Sequence, residues 1–158
     1  MITYVLIVLV VIAMLYLSFR ALGGGGAVNA EDYRTVLARI GEFTEARAAE
    51  LDTALRDATG TPLVEAANAA RKKLTGYQEQ LSRLDPDVEG AERDELESAR
   101  SLLSAAIEDL GWACRMIEAG NHGDNPGVQR AVTELRGAAA ECITAARRLT
   151  GSVPAAAP

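Results

Sequence analysis

From Tyr33 to Leu149 the apolar residues of this chain recur in steps of three and four, a spacing that admits helices packed along a seam and little else. Three interruptions divide the run, each pairing a stop with a start: Gly60 with Thr61-Pro62, then Asp85-Pro86, then Gly120 through Asn125-Pro126. Asn29 supplies an N-cap ahead of them, with Glu31 and Asp32 in the first turn where the helix dipole favours acids. The first helix is expected to run to about Ala58 on a seam of Tyr33, Leu37, Ile40, Thr44, Ala48, Leu51, Leu55 and Ala58. The second, with Thr61 as N-cap, places Leu63, Ala67, Ala70, Leu74, Tyr77, Leu81 and Leu84 on one face. Asp85-Pro86 opens the third, whose seam is Leu96, Ala99, Leu103, Ala106, Leu110, Ala113 and Ile117. Asn125-Pro126 opens the fourth, with Val128, Val132, Leu135, Ala139, Cys142, Ala146 and Leu149 aligned. Aromatics make up only 4% of the chain and the seams are rich in alanine, which favours close-packed helices over a sheet. The reading is all-α: an antiparallel four-helix bundle over residues 30–150 with coiled-coil spacing, followed by a tail, 151–158, that has little to bury.

Ahead of the bundle lies a segment of another kind. Between Ile2 and Phe19 there is no charge, and the only polar atoms are the hydroxyls of Thr3, Tyr4, Tyr16 and Ser18. Crossing a hydrocarbon core of roughly 30 Å takes about 20 apolar residues in a helix, which residues 1–22 supply as a single transmembrane anchor. Arg20 snorkels to the headgroups, and Tyr4 and Tyr16 sit near the two interfaces. Val28-Asn29-Ala30 resembles the small-residue pattern before a signal-peptide cleavage site, so secretion after cleavage is the alternative. Against it, no Lys or Arg precedes the apolar run, and the run is longer than a signal peptide uses. The segment 23–29, with glycines at 23 to 26, is a flexible linker with an r.m.s. reach on the order of 15 Å; no Lys-Ser/Thr follows the glycines to make a phosphate loop. Arg20, Arg34 and Arg39 follow the span and no basic residue precedes it, which places the bundle on the cytoplasmic side of the cell membrane, with an extracytoplasmic position as the alternative.

The chemistry-bearing residues are few. The formal charge is −6 and the only short basic runs are Arg71-Lys72-Lys73 and Arg147-Arg148, so nucleic acid is not an expected partner. His122, the only histidine, falls in the turn after the third helix and reads as a solvated turn residue. No Glu-x-x-His motif of the bundle di-iron type is present. The acids between Asp85 and Glu97 lack the calcium-loop pattern and read as a solvated helix start. Cys114 and Cys142 lie nine residues before and nineteen after the centre of the turn near residue 123, a height difference of ~15 Å that forbids a disulfide across the hairpin. Cys142 reads as a small core residue. No catalytic, cofactor-binding or metal-ligating set emerges, no small-molecule substrate is indicated, and an enzyme is not expected.

What remains is a surface. Beside its seam the third helix carries Leu102, Ala105, Trp112 and Met116 at helical spacing, interrupted by Asp109. Leu102, Trp112 and Met116 are the candidate docking face for a protein partner or a second copy, unless they widen the core. Fourteen of the sixteen basic residues are arginine, which points to a high-GC bacterial source. In layout alone, an anchor followed by a long-helix bundle resembles the LemA-type bacterial membrane proteins. Their helix runs on from the membrane through a Tyr-Asn motif where this chain has Tyr16-Leu17 and then glycines, and the likeness implies no function. The expected function is a membrane-tethered interaction or scaffold module. The alternative is a sensor or small-ligand-binding bundle acting with a membrane partner, which would need a polar pocket between the helices.

Overall fold

A computed structural model describes residues 29–120 and 122–151. The expected span 1–22, the linker as far as residue 28, Asn121 and the tail from 152 lie outside them. Within the described residues the chain folds as α1 Ala30–Asp57, α2 Thr61–Arg83, α3 Ala91–Glu118 and α4 Pro126–Leu149, packed as an antiparallel four-helix bundle. No helix among them is long and apolar enough to cross a membrane.

Two of the four starts follow the sequence reading. Asn29 Oδ1 accepts from the Asp32 backbone N–H at 2.9 Å, and Asn125 Oδ1 accepts from those of Gly127 and Val128 at 2.9 and 3.3 Å. Pro126 follows its cap in the first turn, where its missing N–H is not needed. The other two starts are corrected. Thr61 is the first helical residue, and the cap position is held by Gly60 at φ 63°, with no side-chain bond. Asp85-Pro86 does not open α3; residues 84–90 form a connection and the helix begins at Ala91, after Gly90 at φ 72°. An X-Pro pair holds its first residue extended, and Val88 in this connection packs against the core. Gly90 supplies the left-handed turn that redirects the chain into α3.

Contacts between side chains set the register. Phe43 of α1 stacks on Tyr77 of α2, ring centroids 5.7 Å apart. Arg71 Nε donates to Glu118 Oε1 and Gln78 Nε2 to Ser104 Oγ, both at 2.7 Å, joining α2 to α3. Arg136 and Arg147 of α4 pair with Asp52 and Glu45 of α1. The parallel helices α1 and α3 approach at Gly41, where an added Cβ would lie 3.5 Å from Leu103 Cδ2. Among the described residues α2 and α4 make no contact. The cross-section is therefore a rhombus with α1 and α3 across its short diagonal.

That geometry makes α3 the middle of the molecule. All seven of its seam residues are buried, and Ile107 and Cys114 join them. The closest pair of helices is α3 with α4, where Ala106, Ala113, Ala139 and Ala146 are no more than 1% exposed. Short side chains bring helix axes toward the lower end of the ~8–10 Å range. Elsewhere the seam reading shifts. Ile143 is in the core and Cys142 only half-buried, because a helix of 3.6 residues per turn drifts from a seven-residue repeat. Ala48 and Leu55 in α1 with its C-cap Ala58, Tyr77 in α2 with its C-cap Leu84, and Val128, Leu135 and Leu149 in α4 pack on the core but stay half-buried.

Gly111 sits in mid-α3 with no atom within 4 Å of where a Cβ would stand. Gly111→Ala should therefore raise stability by about 0.5–1 kcal/mol through backbone entropy alone. Ala106→Leu, in the tight α3–α4 contact, should lower it by about 1–3 kcal/mol. Urea melts of the two variants should move in opposite directions.

Candidate functional site

The structure divides the expected docking face. Leu102 and Met116 are half-buried and pack against the core, while Trp112 is 53% exposed. The Arg115 guanidinium carbon stands 4.6 Å from the Trp112 ring centroid, a cation–π contact that leaves much of the indole open. Ile107 and Cys114, on the other flank of the helix, belong to the core. Asp109, which interrupts the stripe, is half-buried; desolvation first and then the Glu108 charge push its carboxyl above the usual range. It also acts on Cys142 of α4, whose thiol is raised by burial and then by Asp109 and Glu141. Cys142 thus lies level with Asp109, away from Cys114.

Both thiols are free. Cys114 is fully buried, and burial, reinforced by Glu118 and opposed by Arg71, pushes its thiol up to about 11. A buried thiol with so high a pKa is a poor nucleophile. His122 is half-buried in the α3–α4 turn. Among the described residues no three His, Cys, Asp or Glu side chains gather to hold a metal ion. The acids of residues 85–97 are partly engaged: Arg93 pairs with Asp85 at 3.5 Å and Glu97 at 2.8 Å, and Arg34 pairs with Glu92 at 2.7 Å.

Two grooves open to solvent lie along the bundle. One, of about 430 Å³, runs along α3 from Glu97 past Arg100, Ser101 and Ser104 to Glu108. The other, of about 380 Å³, follows α1 from Glu31 to Glu42 and reaches Thr150. Neither penetrates the alanine- and leucine-filled centre of the bundle.

The sequence reading placed Tyr33 on the seam but missed its unpaired hydroxyl, and it missed Arg100, Arg47 and Phe43. Tyr33 is fully buried and its hydroxyl makes no hydrogen bond; burial raises its pKa, and the nearby Arg100 offsets part of that effect. Arg100 itself donates from Nη1 to the Leu84 carbonyl oxygen at 3.2 Å, tying the α2–α3 connection to α3. Arg47 stands where the apolar step of α1 would place a core residue, three after Thr44 and four before Leu51. Its side chain is only 15% exposed; Nη1 pairs with Glu50 at 2.7 Å, and Nε has no partner. Phe43, 44% exposed, carries the other open aromatic surface.

Comparison with protein-family models, with characterised proteins and with solved structures finds no match.

Cys114 gives the bundle a pH dependence. Its raised folded pKa means the native state holds the proton longer than the unfolded chain, whose thiol titrates near 9. The stability this contributes is complete below pH 9 and is lost as pH rises to about 11. The loss should be on the order of 2–3 kcal/mol. In Cys114→Ala that part of the alkaline decline should vanish while the part due to Tyr33 remains, as thermal melts across this window would show.

Proposed function

We propose that this chain is a membrane-tethered interaction or scaffold module without a catalytic site, anchored by residues 1–22 and linked through 23–29 to a bundle on the cytoplasmic side. The observation that carries the reading is Trp112. It is 53% exposed on a bundle whose other large apolar side chains, Phe43 apart, are covered. A tryptophan left open beside an arginine has the composition of an interface anchor, since Trp and Arg dominate binding energy where water is excluded around them. Leu102 and Met116, half-buried on the same helix, brace it against the core.

The partner is a protein or a second copy of the chain. A sensor would take its ligand in a polar pocket between helices, and the interior here is packed with leucine and alanine. The cytoplasmic assignment is supported by the arginines that follow the apolar run, with none before it. Two free thiols at different levels of the α3–α4 hairpin fit a reducing compartment.

Two experiments test the reading. In the full chain, Trp112→Glu should abolish association, measured by crosslinking in native membranes, while the melting temperature stays within a few degrees. Leu102→Asp or Met116→Asp should instead cost about 1–3 kcal/mol of stability, because each buries a charge against the core. Association that survives Trp112→Glu would remove the docking role from this face. For orientation, a carboxyl-terminal green fluorescent fusion should fluoresce and an alkaline phosphatase fusion should be inactive; the reverse pattern would place the bundle outside.

A further inference from the structure

A second surface, on the α1–α2 side of the bundle, has a different chemistry. Phe43 lies 44% exposed and stacks on Tyr77 with the rings inclined by 24°. Helical spacing puts Arg39 and Arg47 one turn either side of Phe43 on α1, and Lys73 one turn from Tyr77 on α2. The antiparallel register set by the Phe43–Tyr77 contact brings Lys73 level with Arg47. Two strips, Arg39–Phe43–Arg47 and Lys73–Tyr77, thus run side by side on the face where these helices meet, Arg39 at its edge also lining, with Glu31 and Glu42, the groove that reaches Thr150.

The charges on this face are poorly compensated. Arg39 and Lys73 are exposed and form no ion pair among the described residues. Arg47 has one acid, Glu50, and an Nε donor left over. Lys72 is exposed and unpaired as well. On a chain of formal charge −6, cations left open around an exposed phenylalanine and the half-buried tyrosine it stacks on are out of keeping with the rest of the surface. A cation on each side of a ring matches a carboxylate on each side of an apolar side chain.

We infer that the α1–α2 face around Phe43 docks an acidic segment of a partner protein. An apolar side chain of that segment lies against the open face of Phe43, and flanking carboxylates pair with Arg39 and Lys73. Steps of four residues rise about 6 Å per turn along α1, so a helix with an apolar residue between two acids, each one turn away, is the complementary shape. Complementary charge steers the encounter and the ring supplies the desolvated contact. This surface shares no residue with the Trp112 face, so each can fail without the other.

The test uses the full chain in neutral detergent with both phenylalanines, Phe19 and Phe43, replaced by fluorophenylalanine, and follows the two signals by fluorine NMR. The probe is a helical peptide carrying one leucine with a glutamate four residues to either side. The Phe43 signal should shift saturably and the Phe19 signal should stay. Raising salt should weaken the effect. Arg39→Glu with Lys73→Glu should reduce affinity about tenfold or more. If that pair disturbs folding, Arg39→Gln with Lys73→Gln should give a smaller loss in the same direction. No Phe43 shift up to millimolar peptide would overturn the inference, as would an equal shift with lysines replacing the glutamates. So would a Phe43 shift produced by phosphatidylglycerol vesicles and not by the peptide, which would assign this face to an anionic lipid surface.

Discussion

The bundle depends on how closely α3 and α4 can approach. Ala106, Ala113, Ala139 and Ala146 bury almost nothing individually, but they allow the two helices to close into the tightest pair in the molecule. With α4 seated on one side, α3 still has two faces free to bury leucines against α1 and α2. On the diagonal, Gly41 is buried and Leu103 lies against it, 3.5 Å from where a Cβ would stand. Small residues set the distances, and the large ones then fill the spaces those distances leave.

The fourth side of the rhombus is held differently. Between α1 and α4 the connections are Arg136–Asp52 and Arg147–Glu45, pairs with side chains roughly a quarter to a half exposed. Pairs of that exposure stabilise by at most about 1 kcal/mol each. Their role is to fix which turn of α1 faces which turn of α4, while apolar contacts through α3 supply the adhesion. Arg47 is the exception to this division, a guanidinium set into an apolar step. Local patterning is broken there without an evident structural gain, as is expected near a functional surface.

The helices and most of the core were legible because periodicity reports burial directly: every α3 seam position is buried. Caps were legible only where a side chain makes the cap. Asn29 and Asn125 bond to the first turn as their chemistry suggests, whereas Gly60 and Gly90 cap through backbone conformation, which proline alone misplaces by one residue at Thr61 and by five at Pro86. Spacing places Leu102, Trp112 and Met116 on one stripe but does not report how far a neighbouring helix covers it, and that coverage divides the three. Phe43 was hidden for the complementary reason. Its exposure follows from how far α2 covers that side of α1, which neither helix's own pattern reports.

The short turn between α3 and α4 has a consequence for how the chain comes to be folded. The tightest contacts in the molecule join residues of neighbouring helices, so the entropy lost in bringing them together is small and the hairpin forms early. Helix α1, whose partners α3 and α4 lie farthest from it along the chain, pays the largest closure cost and docks onto a hairpin already formed.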